Sequence, residues 1–179
     1  MPVKKDAKEI AASEIFSMTG GLLAGLMLTF VTDKLSLVPG LLILIPGFLE
    51  MRGNISGSLS ARLSAGLFVG SLKPRLEKNP ILRHNILASF TLVIALSFSL
   101  GLVATGAFYI FFGKFNFDLI FVALVAGILS NVIEIPLTIA TTFYLFRHGH
   151  DPNNIMGPYI TTTGDIISII SLLFAISVV

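Results

Sequence analysis

Asp165 closes the run Ile160-Thr161-Thr162-Thr163-Gly164-Asp165, and only apolar residues and serines follow it. A carboxylate backed by hydroxyls is a hard, oxygen-rich donor set, suited to Mg²⁺, Ca²⁺ or Mn²⁺ rather than to soft metals. One carboxylate per chain is few for a dry cage. It fits Mg²⁺, which dehydrates reluctantly and keeps several waters. A second polar group is Glu50-Met51-Arg52-Gly53-Asn54, with Arg62 further on, and a third is Asn131 with Glu134. An ionised side chain near a bilayer centre costs on the order of 3 kcal/mol or more, so those found there face a cavity or a partner. Two readings stay open for each group. Asp165 is a cation ligand or the buried counter-ion of Arg62. Arg62 pairs with Glu50 or Glu134. Asn54 lines a pore or makes a helix-packing hydrogen bond, and Glu50 and Glu134 are candidates for binding a coupled counter-ion.

The elements that must position these residues are membrane helices. Over half of the 179 residues are hydrophobic, 12% are charged, and the mean hydropathy is +0.91. Soluble domains carry about 25% charge, so the chain belongs to the membrane class. The net charge of +2 gives no reason to expect nucleic acid, and the lack of cysteine excludes disulfides and thiolate metal sites. A spanning helix needs roughly 20 mostly apolar residues. Five stretches meet this, at 14–33, 37–72, 84–112, 118–146 and 153–178, behind a short polar tail at 1–13. The second is long. Pro46-Gly47 and Gly53 flank its charged residues, so a break or kink is expected there, and such breaks are tolerated where backbone lines a cavity or is buried in protein.

Lys and Arg collect in cytoplasmic loops. Lys4, Lys5, Lys8, Lys73, Arg75, Lys78, Arg83 and Arg147 fall on one side of this layout, and only Lys34 and Lys114 on the other. The N-terminus is therefore expected in the cytoplasm and the C-terminus outside. GxxxG spacings at Gly21/Gly25, Gly53/Gly57 and Gly66/Gly70 are candidate close contacts between helices. His148-Gly149-His150 reads as a solvated helix end rather than a metal pair. No HExxH, Walker A, GxGxxG or GxSxG pattern occurs, which argues against a nucleotide-driven pump or a familiar hydrolase.

Two segments carry a resemblance. Pro39 to Ser64, with Arg52-Gly53-Asn54 and then Arg62-Leu63-Ser64, resembles the second membrane helix of the MgtE-type magnesium transporters, and more closely their eukaryotic solute-carrier branch. Asp151-Pro152-Asn153-Asn154-Ile155, then Pro158-Tyr159-Ile160 to Gly164-Asp165, resembles that family's last helix. The resemblance implies an all-α five-helix transport unit over 14–179 in the cell membrane, with helix two interrupted. It implies Asp165 as the central cation ligand, with Asn54 and the backbone near Thr161 lining the same pore and Gly53 letting helix two approach. It implies Mg²⁺ as the transported ion, with Mn²⁺, Ca²⁺ or Co²⁺ as alternatives, and a pore between two units, as a two-fold homodimer or a heterodimer with a related half. Arg52 stands where bacterial members have Gly and is expected to point away from a cation path. The bacterial regulatory CBS domains have no counterpart in the first thirteen residues, so regulation of that kind is expected to be absent or supplied by another chain. The rival readings are a non-transporting accessory protein and an intramembrane enzyme with Asp165 and Glu134 as paired acids.

Overall fold

The computed structural model describes residues 2–30 and 38–179. Within them lie five helices: α1 (Pro2–Phe30), α2 (Leu41–Val69), α3 (Pro80–Phe112), α4 (Asp118–Arg147) and α5 (Pro152–Ser177). Their ends follow local chemistry. Asn79 caps α3 by accepting from the backbone N–H of Ile81 (2.8 Å) and Leu82 (3.4 Å), with Pro80 in the first turn. Asp151 caps α5 by accepting from Asn153 N–H at 2.9 Å, again followed by proline. Gly70 ends α2 with φ +80°, a backbone conformation that disfavours side chains.

Four of the helices (α1, α3, α4 and α5) are long and apolar enough to cross a membrane, and the chain is an integral membrane protein. Helix α2 is equally long, with 29 residues. Its Glu50, Arg52, Asn54 and Arg62 keep it out of that set, and it packs instead against α3, α4 and α5. Helix α2 runs as one continuous element from Leu41 to Val69, so the expected break is not seen. Pro46 sits in the second turn and removes one N–H bond. Beyond it Arg52 and Arg62 find partners on other helices, while Glu50 and Asn54 pair along α2 itself.

Residues 2–13, expected as a tail, form the first turns of α1. They hold three Lys and three Ala, which favour helix, and they are tied to the α4–α5 turn. Lys5 Nζ donates to Gly149 O (2.5 Å), Ser13 Oγ to Asn154 O (3.1 Å), and Asn154 Nδ2 to Glu9 Oε2 (3.2 Å). At the opposite end Asn116 Nδ2 donates to Pro39 O at 2.8 Å, which sets the start of α2 beside the α3–α4 turn. Phe68 and Phe146 meet edge to face at 5.3 Å, placing the end of α2 beside the end of α4. The eight basic residues of the tail, the α2–α3 connection and the α4–α5 turn thus gather at one end, with Lys114 at the other. Lys34 lies outside the described residues.

The interior is layered. Toward the Lys114 end, Leu41, Leu44, Phe48, Val93, Leu119, Val122, Leu172 and Ile176 form one apolar cluster. Toward the basic end, Leu59, Leu63, Leu67, Leu82, Ile135, Ile139 and Phe143 form a second. Between them along α2, α4 and α5 lie Arg52, Asn131, Glu134 and Asp165. Among the described residues, none of the three GxxxG pairs brings two helices together: Gly21, Gly25, Gly53 and Gly57 have open space where a Cβ would go, Gly66 faces Leu72 of the following connection, and Gly70 is the cap. The close approaches are at Gly20 against Thr162, Gly101 against Ile120 and Gly127 against Ser97, where small residues let helices pack in lipid.

Candidate functional site

A cleft of about 350 Å³ opens between α2 and α5 at the level of the polar layer. Helix α2 contributes Pro46, Leu49, Glu50, Arg52, Gly53, Asn54 and Gly57, and α5 contributes Gly157, Ile160, Thr161 and Asp165. The helical repeat explains the grouping. Residues 46, 50, 53, 54 and 57 share one face of α2, and 157, 161 and 165 share one face of α5. Five residues singled out in the sequence (Glu50, Gly53, Asn54, Thr161 and Asp165) therefore meet in one place. Glu50 and Asn54 are exposed and paired along the helix, Asn54 Nδ2 donating to Glu50 Oε1 at 3.2 Å. Thr161 is also exposed, with its hydroxyl turned back to Gly157 O at 3.1 Å. The three glycines leave the cleft wall without side chains.

Behind the cleft lies a three-residue ion network. Arg52 is 1% exposed. Its Nη1 donates to Glu134 Oε1 at 2.5 Å and to Ile160 O at 3.3 Å, and its Nη2 donates to Asp165 Oδ1 at 2.9 Å. The Glu134 side chain is 1% exposed and that of Asp165 20%, because Asp165 also borders the cleft. One guanidinium between two carboxylates leaves a formal charge of −1. Burial of each ion alone would cost several kcal/mol, and pairing across three helices offsets that. Gly164 makes the pairing sterically feasible: a Cβ there would overlap Arg52 Nη1 and crowd Glu134 Oε1. Two polar atoms of the network, Glu134 Oε2 and Arg52 Nε, are buried with no hydrogen-bond partner among the described residues.

This geometry corrects three expectations. Arg52, expected to point away from a cation path, instead borders the cleft and pairs with Asp165, since a buried guanidinium needs a carboxylate more than it needs distance from the cleft. Arg62 pairs with neither Glu50 nor Glu134: it is exposed and donates from Nε to Asn85 Oδ1 at 2.7 Å. Asp165 is accordingly not the counter-ion of Arg62. Glu134 and Asn131 lie behind the cleft and do not line it. Asn131 is buried and donates to Gly127 O on its own helix at 2.9 Å. His148 bonds the Tyr144 carbonyl (2.8 Å) and His150 bonds Glu9 (2.8 Å), as helix-end residues do. Among the described residues no three His, Cys, Asp or Glu side chains are grouped to hold a metal directly.

Comparison with known proteins bears on what such a cleft carries. A family model described as MgtE, divalent cation transporter, matches residues 45–175, which include every residue of the cleft and of the ion network. Solute carrier family 41 member 2 of Gallus gallus, of Xenopus laevis and of Homo sapiens are each 23% identical to this chain over 173 residues. Those matches cover 91% of this chain, which spans 30% of the length of each relative. No solved structure matches the chain.

Proposed function

The chain belongs to the MgtE family of divalent cation transporters, and from that premise we propose that the α2–α5 cleft is one wall of a path for hydrated Mg²⁺. The observation that carries this reading is the convergence of Glu50, Asn54, Thr161 and Asp165 on one cleft in an otherwise apolar bundle. Four residues with oxygen-bearing side chains around about 350 Å³ suit an ion that keeps its waters. Six waters at roughly 30 Å³ each need about 180 Å³, and Mg²⁺ gives up its shell reluctantly. Asp165 is the central acid, acting through water on the hydrated ion. Membership of a transporter family sets aside the paired-acid enzyme reading, and the shared Arg52 ties up both carboxylates in any case.

The exposure of Glu50, Asn54 and Thr161 argues for a second wall. Charged and amide side chains at this depth do not face lipid, and a symmetric pair of chains is the commonest way to cover such a face. A homodimer would bring two copies of Asp165 to one axis. A related half in a heterodimer would supply the same wall. The basic end of the bundle belongs in the cytoplasm by the distribution of Lys and Arg, with α2 as the fifth crossing and the C-terminus outside. A doubly charged ion crossing 100 mV gains about 4.6 kcal/mol, enough to drive uptake without a coupled ion.

The test is Mg²⁺ uptake into proteoliposomes holding only this chain, with the interior negative. Uptake that disappears in Asp165→Asn, with the variant folded, is the expected result. Equal uptake by the variant would remove Asp165 from the path. No uptake by folded wild-type protein would overturn self-sufficiency of the homodimer.

A further inference from the structure

We propose that Arg52 is a tethered competitor for the cation: its guanidinium occupies Asp165 when no ion is bound, and the arriving divalent ion displaces it onto Glu134. The inference rests on the transport reading above and deepens it. Arg52 is a positioning residue here, acting on the ion only through Asp165.

Three observations carry it. First, the guanidinium is shared. It bonds Glu134 Oε1 through Nη1 and Asp165 Oδ1 through Nη2, one oxygen from each carboxylate. Second, the acceptor for a second arrangement is already in place. Glu134 Oε2 is buried and makes no hydrogen bond among the described residues; neither does Arg52 Nε, nor the buried Ser56 hydroxyl that neighbours Glu134. Rotating the guanidinium so that two of its N–H groups meet both oxygens of Glu134 gives the bidentate fork that arginine favours with carboxylates. That fork satisfies the orphaned oxygen and releases Asp165. Third, the two carboxylates differ in what they face. Glu134 is sealed, whereas Asp165 borders the cleft, so only Asp165 can exchange a guanidinium for a hydrated ion.

The network therefore has two arrangements of nearly equal bonding: Arg52 bridging the two acids, and Arg52 forked on Glu134 with Asp165 free. A divalent cation that binds only the second shifts the balance by its differential affinity. In the bridging arrangement Arg52 compensates Asp165, and a monovalent ion gains less than a divalent one from displacing a charge of +1. Arg52 thereby favours doubly charged cargo.

The experiment is Mg²⁺ binding to purified full-length protein, measured by calorimetry and by Mg²⁺-dependent thermal stabilisation. It compares wild type with Glu134→Gln, the double variant Arg52→Gln/Glu134→Gln, and Asp165→Asn. In Glu134→Gln the guanidinium loses its alternative partner and stays on Asp165, and the apparent Kd should rise about tenfold, within the range of ordinary coupling between sites. In the double variant Asp165 has no competitor, and the Kd should fall about tenfold below wild type. That variant has the same formal charge of −1 around Asp165 as wild type, so tightening reports displacement and not net charge. The carboxylate it leaves without an ion pair is Asp165, which borders the cleft, and not the sealed Glu134, and this favours folding. Asp165→Asn should bind no Mg²⁺. A double variant that is folded and binds no more tightly than wild type would overturn the proposal and make Arg52 a fixed counter-charge. If the double variant does not fold, Glu134→Gln decides alone, and an unchanged Kd there overturns the proposal. Absence of saturable Mg²⁺ binding in folded wild type would instead overturn the transport reading on which it rests.

Discussion

Helices α2 and α3 lie side by side and invert the rule that governs soluble proteins. Helix α3 is the most apolar span, with no Asp, Glu, Lys or Arg between Arg83 and Lys114. Only 8 of its 33 residues are buried, and these include Ser89, Ser97, Gly101 and Thr105. Its Leu87, Ile94, Leu102, Ile110 and Phe111 are exposed. Helix α2 has Glu50, Arg52, Asn54 and Arg62, yet 13 of its 29 residues are buried, Arg52 among them. Lipid tails are as apolar as leucine, so a helix gains little by turning leucine inward. A charge gains much by it, provided a partner waits there. Between its two apolar clusters the interior of this protein thus holds the paired charges of Arg52, Glu134 and Asp165, which lipid rejects.

The largest way to break that contrast is to leave half of the buried network standing. Arg52→Ala strands Glu134 without its counter-charge and should destabilise the fold by about 3–5 kcal/mol, read as loss of thermal stability in detergent. Next is Gly164→Ala, whose methyl group overlaps the Arg52 guanidinium. A cost of about 1–3 kcal/mol is expected from overpacking, with the Arg52–Asp165 pair displaced. A fall in stability no greater than that of Gly25→Ala would show that Gly164 is not the clearance for Arg52, because Gly25 has no described neighbour where its Cβ would go. Smallest is Ile110→Ala on α3, at 77% exposure. It should change stability by less than about 0.5 kcal/mol, and a change above about 2 kcal/mol would mean that this face is covered by protein and not by lipid.

The spans of α3, α4 and α5 were legible to within a few residues, because their apolar runs are bounded by local signals such as Asn79-Pro80 and Asp151-Pro152. The start of α1 was not. Hydropathy marks where lipid begins, and a helix formed from Lys, Ala and Glu continues past that point without changing the signal. The resemblance set Gly53, Asn54, Thr161 and Asp165 along one path, and they border one cleft between α2 and α5; Glu50, read as a partner of Arg62 or a counter-ion site, lies there with them. The pairing of Arg52 with Glu134 and Asp165 was not legible. Its members are 82 and 113 positions apart in sequence, and no spacing rule links residues on three different helices. The glycine beside Asp165 is an available signal, since a glycine inside a helical pattern costs stability and marks a place where something can pack closely.

The most direct test of the cleft as the ion path uses the fact that the chain has no cysteine. Single cysteines at Asn54 and Thr161, in the cleft, and at Leu102, on the lipid face of α3, would be treated with a membrane-impermeant thiol reagent with and without Mg²⁺. The cleft reading predicts that Asn54→Cys and Thr161→Cys react and that Mg²⁺ protects both, while Leu102→Cys stays unreactive under either condition. Cleft cysteines no more reactive than Leu102→Cys, or reactive but indifferent to Mg²⁺, would contradict it.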